Sequence, residues 1–522
     1  MKRTKALPFT LLSLAALSLS GCSKLFSLFG GNVKVTDLSP THLNNNYGDY
    51  LSNNFYLLSG TPLNGKPKLL IIPIWFTDSN KYISVEQREQ VRDDIHKCYF
   101  GTDKEVGWKS VSSYYKELSQ NIVTLEGTVS SWYECGNASN YFYSREAGAS
   151  RTTQLVSTAT NWYFSNNPSD SKQSYDYDGD GYFDGVMLIY ASPDYGAMNN
   201  NNASNMWAYC FWTQQEAGTA TNPIPNVFFW ASYDFMYGAS GLDSGSRIGL
   251  YGSGDTSNCH LDTHTFIHEM GHVFGLEDYY DYSNQYIPAG GFSMQDYNVG
   301  SHDPYSVMAF GWADPMIPKT TCSLSLKPFQ ESHDLILLSS NPNSVISPFD
   351  EYLLLEYYTP SGLNSFDVNY QYAKKYPQGS VKSGIRLWHV DGRLLCATSR
   401  DESARISMAS SITKGKYYSH AMSNTYYKED DTDSQAYISP LGKQYADYNI
   451  LQLIRNSRTD DYYAGDFFNE GSLFLANSSF SMKNYKKQFV EGERMNDGSS
   501  LGWTFKVNKI TSSEAVVTLT RG

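Results

Sequence analysis

His268, Glu269 and His272 fall within one helical turn of the stretch HTFIHEMGHVFGLEDYYD, residues 264 to 281. Two histidines four residues apart project from the same face of a helix, so both imidazoles can meet one zinc ion at about 2.0–2.1 Å. Glu269, the next residue round, lies beside such a metal without ligating it. A carboxylate there can take a proton from water whose pKa the metal lowers to about 7, and so act as general base in hydrolysis of a peptide bond. A catalytic zinc also needs a third protein ligand and an open position for water.

The third ligand is sought downstream. Gly275 can take the left-handed conformation that closes a helix and reverses the chain, and Asp278, three residues on, can then return to the metal. A glutamate on a later helix is disfavoured, because no Glu occurs between Asp278 and Glu331. Among Glu277, Asp278, Asp281, Asp296 and Asp303 the spacing favours Asp278, with Glu277 and Asp281 as outer partners or structural groups. His264 and His260 continue the four-residue histidine spacing upstream. No Glu follows His264, so His264 is expected on the helix surface or behind the ligands, and His260 in the preceding loop.

A second cation site is suggested by DYDGDGYFD, residues 176 to 184. Asp176, Asp178 and Asp180 alternate, Gly181 permits a sharp turn, and the Tyr182 carbonyl and Asp184 follow at the spacing of a calcium loop. Position 12 of that loop is Met187 and VMLIY reads as a strand, so the motif is no complete EF-hand and its expected role is structural.

The pattern His268-Glu269-x-x-His272-x-x-Gly275-x-x-Asp278 resembles the metzincin motif in its Asp variant. The fuller HEMGHVFGLEDYYD resembles the immune inhibitor A family of secreted bacterial metallopeptidases, which usually have Pro where this chain has Glu277. LLIIPIWFTD, DYDGDGYFDGVMLIY, DEYLLLEYY, SGIRLWHVD and the closing GDFFNEGSLFL and GWTFKVNKITSSEAVVTLT resemble further blocks of that family, over most of residues 66 to 520. The resemblance implies an α+β zinc peptidase domain and a methionine turn beneath the metal, with Met294 as its residue and Met308 as an ordinary core methionine. It also implies that a tyrosine near that turn can steady the oxyanion. Tyr297 and Tyr305 are available, among 42 tyrosines in the chain.

The elements that must position these residues read as follows. The chain has 522 residues, enough for more than one domain, and a net charge of −13, which excludes the basic footprint of a nucleic-acid binder. Residues 1–22 have the layout of a lipoprotein signal peptide: a basic start, an apolar run, and Leu19-Ser20-Gly21-Cys22, which resembles the bacterial lipobox. That predicts export to the cell envelope or surface, with a membrane anchor on Cys22. Residues 23–65 read as a tether and 66–318 as the catalytic domain. KPKLLIIPIWF is expected as a buried strand, and residues 84–100 as a helix opened by a Ser84–Gln87 capping box. Residues 319–522 read as a β-rich C-terminal region. Within it, His389 and Asp391 share one face of a strand and are expected to hydrogen-bond in a β core, Glu356 is open to either a structural or a functional role, and residues 429–433 form an acidic loop. Six cysteines after Cys22 permit three disulfides without assigning them.

The function expected is hydrolysis of extracellular proteins or peptides by a zinc endopeptidase. The alternatives are a surface binding or adhesion lipoprotein on a peptidase-like fold, and a zinc hydrolase acting on glycans or other substrates.

Overall fold

A computed structural model describes residues 60–213, 215–240, 261–282, 286–343, 350–370, 372, 376–392, 423–424, 448–457 and 467–522. Cys22, the signal peptide, most of the tether, His260 and the acidic loop at 429–433 lie outside the described residues.

The first sheet is mainly parallel. Its strands are β1 (Lys68–Trp75), β2 (Glu126–Val129), β3 (Tyr133–Glu134), β4 (Val186–Tyr190), β5 (Tyr209–Trp212) and β6 (Val227–Ser232), in the order β2-β1-β4-β6-β5 with β3 continuing beside β1. Only β5, an edge strand, runs antiparallel to its neighbour. The run KLLIIPIW is apolar without alternation because both sheet faces are covered, as parallel sheets require.

Helices α1 (Arg88–Phe100), α2 (Val111–Leu118) and α3 (Arg145–Asn166) follow the first strands, and α4 (His264–Val273) carries the HExxH residues. Ser84 and Gln87 exchange side-chain and backbone hydrogen bonds of 3.1 and 3.3 Å, so the capping pair forms, and the regular helix starts just after it. Short helices α5 (Met294–Tyr297), α6 (Pro304–Ala309) and α7 (Ser365–Asn369) come later in the chain. Helix α3 covers one face of the first sheet through Leu155, Val156, Ala159 and Tyr163. Helices α1, α2 and α4 cover the other.

The C-terminal half adds two antiparallel sheets. One has the order β11-β10-β9-β8 and the other β12-β13-β14-β7. Their strands are β7 (Cys322–Leu326), β8 (Leu335–Leu338), β9 (Glu351–Tyr358), β10 (Gly384–Asp391), β11 (Leu451–Ile454), β12 (Ser479–Ser481), β13 (Trp503–Ile510) and β14 (Ala515–Arg521).

The β8–β11 sheet is buried on both faces, which explains the unbroken apolar runs LILL and EYLLLEYY. Leu335, Leu337, Tyr352, Leu354, Trp388, Val390 and Leu453 join the core that surrounds α4. Ile336, Leu338, Leu353, Leu355, Ile385 and Leu387 face Leu324, Phe505, Val517 and Leu519 of the last sheet. That last sheet meets water on its outer face and alternates accordingly, as in β13. The position 318/319 therefore separates two regions of different texture that share one continuous core.

Four of the cysteines after Cys22 are described. Cys135, Cys210 and Cys322 carry free thiols and Cys98 is buried in α1, while Cys259 and Cys396 lie outside the described residues. His389 and Asp391 are both buried, but they do not pair with each other. His389 Nε2 lies 2.9 Å from Glu351 Oε1, and Asp391 accepts from Asn496 Nδ2 at 2.9 Å. The register sets His389 against Leu353 and Asp391 against Glu351 on β9, so His389 reaches across the strands instead of along its own. Glu356 is structural, accepting from Arg386 Nε at 2.6 Å and from Trp388 Nε1 at 2.9 Å.

A chain cut after residue 318 would leave the α4 core without its second wall, and each large apolar side chain left wet costs about 1.5–3 kcal/mol. Such a fragment is expected to lack a cooperative thermal transition and near-ultraviolet circular dichroism. A soluble fragment that unfolds cooperatively would contradict the shared core.

Candidate metal centre

Helix α4 ends in a turn that its sequence specifies. Gly275 has φ of 109°, its N–H donates to His272 O at 2.9 Å, and Leu276 N–H donates to Gly271 O at 2.9 Å. These are the paired bonds of a Schellman motif, accessible here because glycine pays no Cβ penalty at positive φ. The turn presents Leu276 O to the helix, where it accepts from His272 Nδ1 at 2.7 Å. His268 Nδ1 lies 2.7 Å from Met294 O at the start of α5. A carbonyl can only accept, so both imidazoles carry their proton on Nδ1 and turn an Nε2 lone pair away from it.

Those lone pairs converge. His268 Nε2 and His272 Nε2 are 3.1 Å apart, and Asp278 Oδ1 lies 3.0 and 3.2 Å from them. A tetrahedral zinc with bonds of about 2.0–2.1 Å spaces its ligand atoms roughly 3.3 Å apart. Asp278 Oδ1 is buried, and among the described residues it has no hydrogen-bond partner beyond these close contacts with the two nitrogens. The donor set fits a cation. In the metal-free protein a proton takes that role. Burial opposes charge on His272, but Asp278 outweighs it and brings the imidazole up to about 10. Burial likewise opposes the Asp278 carboxylate, yet the two imidazoles hold it well below the usual carboxylate range.

Glu269 is buried at 6% exposure, and among the described residues its Oε2 has no hydrogen-bond partner. Burial pushes its carboxyl up, His272 and His268 pull it down, and Asp278 pushes it up again, leaving it raised. A raised carboxyl beside two imidazoles has the properties of a general base.

The other carboxylates considered for the third ligand have separate duties. Asp281 accepts from Tyr286 N–H at 3.2 Å and Asp296 from Gly291 N–H at 2.6 Å. Asp303 caps α6 through Ser306 N–H at 2.9 Å. Glu277 is half-buried. Among the described residues, Asp278 is the carboxylate that groups with His268 and His272.

The tyrosines that reach this cluster are not those expected. Tyr305 is fully buried in the core with its ring 6.1 Å from that of Tyr279, and Tyr297 packs among Tyr280, Tyr376 and Phe467. Instead Tyr282 donates its hydroxyl to Asp278 Oδ2 at 2.8 Å, and the Tyr280 ring lies 6.3 Å from that of His268. The Asp278–Tyr282 spacing of four was readable in the sequence, but nothing there separated Tyr282 from its neighbours.

Met294 is fully buried, and its backbone carbonyl is what orients His268. The following Gln295 packs its amide against Gly271, where any Cβ would collide with it. A larger residue between the two histidines would therefore oblige the Gln295 amide to shift.

Of the two positions expected for His264, on the helix surface or behind the ligands, the surface one is overturned. It is 0% exposed, with Nδ1 2.8 Å from Asp262 Oδ1 and Nε2 3.1 Å from Asp367 Oδ1. Its ring is stacked between Trp108 and Tyr372 at centroid distances of 4.4 and 4.2 Å. Burial alone would push His264 down, but Asp367 and Asp262 together bring it up to about 9.

In the acidic loop, Asp176, Asp178 and Asp180 each offer an oxygen to one small volume. Asp176 also accepts from Gly179 and Gly181 N–H at 2.8 and 3.0 Å, which shapes the turn. Asp184 does not join them: its two oxygens accept from Tyr177 N–H and Lys68 N–H at 2.9 and 2.7 Å, and burial pushes its carboxyl up to about 8. Tyr182 donates its N–H to Asp180 Oδ1 and its hydroxyl to Gln215 O. The chain after it is bridged to the segment before β6, with Phe183 N–H donating to Ile224 O at 2.9 Å, and runs into β4 instead of the second helix of an EF-hand.

Two outcomes follow from these placements. A histidine raised from about 6.5 in the unfolded chain to about 9 in the fold adds stability that is complete below the lower value and lost through the upper. The melting-temperature difference between wild type and His264→Gln should thus be largest near pH 6 and shrink by pH 10. A difference that grows with pH would overturn the charged bridge. Saturating calcium should raise the melting temperature of wild type, by about 2.7 kcal/mol of stability at a hundredfold excess over Kd. It should do so much less for Asp178→Ala, whereas equal shifts would remove the cation from this loop.

The chain matches no protein-family model and no curated protein.

Proposed function

We propose that the chain is an exported zinc endopeptidase. The observation that carries this reading is the convergence of His268 Nε2, His272 Nε2 and Asp278 Oδ1 within 3.0–3.2 Å of one another, with both Nδ1 protons committed to carbonyls. His268, His272 and Asp278 would hold the metal. Zinc, when bound, supplies Lewis acidity toward a peptide carbonyl and lowers the pKa of the attacking water to about 7.

Glu269 would take a proton from the attacking water and return it to the departing amide nitrogen. Its buried position excludes competing hydrogen bonds and keeps its basicity high. Tyr282 holds Asp278 by Oδ2, which leaves Oδ1 turned toward the imidazoles. The resemblance to secreted immune inhibitor A peptidases supports the same reading, and the Leu19–Cys22 signal adds an envelope location with a lipid anchor. Calcium at Asp176, Asp178 and Asp180 would steady the turn leading into β4, a structural role.

Metal analysis combined with casein hydrolysis tests this. Wild type should copurify with zinc and cleave casein. Glu269→Ala should retain zinc and lose about 10²–10⁴-fold in rate, while Asp278→Ala should lose zinc affinity. Zinc in wild type and Glu269→Ala with equal hydrolysis, or with none in either, would sink the assignment.

A further inference from the structure

The C-terminal half does more than wall the core. Asp367 lies on α7, yet its carboxylate, 0% exposed, serves two segments of the metal centre at once. Oδ1 lies 3.1 Å from His264 Nε2, and Oδ2 accepts from Gly300 N–H at 2.7 Å. Just before α7, Asn364 Oδ1 accepts from Ser301 N–H at 3.1 Å.

Both segments lead to His268. His264 is one helical turn before it on α4, and Asp262, bonded to the His264 side chain, also accepts its backbone N–H at 3.0 Å. On the other side Ser301 O accepts from Met294 N–H at 3.1 Å, and Met294 O accepts from His268 Nδ1. The backbone of this second segment is gripped again upstream. Arg386 Nη1 donates to Phe292 O at 3.2 Å, Arg455 Nη2 to Ile287 O at 2.6 Å, and Phe468 N–H to Gly290 O at 2.6 Å.

We propose that Asp367 is a positioning residue of the metal centre, a buried clamp by which the C-terminal half fixes both the metal-binding helix and the Met294 loop that orients His268. This inference rests on the proposed metal chemistry. It assigns to the half after residue 318 a part in building the active site. A carboxylate suits the position because it can accept from a backbone N–H and from a charged imidazole at once, and both bonds are strengthened by burial.

The test uses full-length protein with Asp367→Asn, His264→Gln and the double variant, and Asp391→Asn as a control buried elsewhere in the C-terminal half. In metal-free protein, deuterium exchange should accelerate together in residues 264–273 and 298–303 of Asp367→Asn, with β10 and the 176–184 loop unchanged. Chelator competition should show zinc affinity reduced about 10–100-fold, with kcat lowered and KM kept. Asp391→Asn should leave zinc affinity within about twofold even if its melting temperature falls. The double variant should lose less than the sum of the singles, because it also removes the Asp367 carboxylate that His264→Gln alone leaves without its buried cationic partner. Unchanged exchange in both segments, or zinc affinity that falls equally in Asp391→Asn, overturns the clamp. Should Asp367→Asn not fold, His264→Gln carries the same exchange test on the α4 side. Wild type that binds no zinc or cleaves no casein ends the proposed function, and the exchange comparison, which needs neither, still decides the clamp.

Discussion

Everything at the candidate metal centre depends on where two protons sit. The carbonyls of Met294 and Leu276 each accept an Nδ1–H, at 2.7 Å, and thereby oblige both imidazoles to face Asp278 with lone pairs. Three electron-pair donors held together in a buried volume repel unless a cation joins them. The raised His272 and depressed Asp278 of the metal-free protein express the same constraint, with a proton as the cation. On the proposed reading a metal would take the place of that proton, and metal affinity is expected to fall with acid.

Much of the surrounding structure can be understood as keeping those two carbonyls still. The Schellman turn at Gly275 places Leu276 O within reach of the helix that it terminates. The bare Gly271 lets Gln295 approach the helix backbone, which seats α5 and with it Met294 O. Farther out, the sheet buried on both faces supplies rigidity that a surface loop lacks. Its polar groups are satisfied: Glu356 by Arg386 and Trp388, Glu351 by His389 and the amides of Asn496 and Asp497. Glu269 Oε2 differs in having no hydrogen-bond partner among the described residues. A buried carboxylate oxygen left so is costly in a purely structural setting, and the cost is intelligible for the proposed general base, which would exchange a proton.

Local patterns carried a large part of the site. The four-residue histidine spacing, the glycine three residues on and the aspartate after it are all consequences of helix geometry and of one turn type, and both operate within a dozen residues. Unbroken apolar runs announced strands buried on both faces for the same reason. Where the reading departed from the structure, a distant partner decided. Asp184 has the spacing of a calcium ligand but is taken by the amide of Lys68, 116 residues earlier. His389 was expected beside Asp391 and is held by Glu351 from a neighbouring strand.

His264 shows the division most clearly. By itself the sequence determined that α4 forms, that His268, Glu269 and His272 share its inner side, and that the chain turns back at Gly275 toward Asp278. These follow from periodicity and backbone sterics. Tertiary structure alone decided that His264 is buried and charged, because its second carboxylate comes from Asp367, 103 residues away. Side-chain protonation depends on what surrounds a group in space, and no spacing along the chain encodes that.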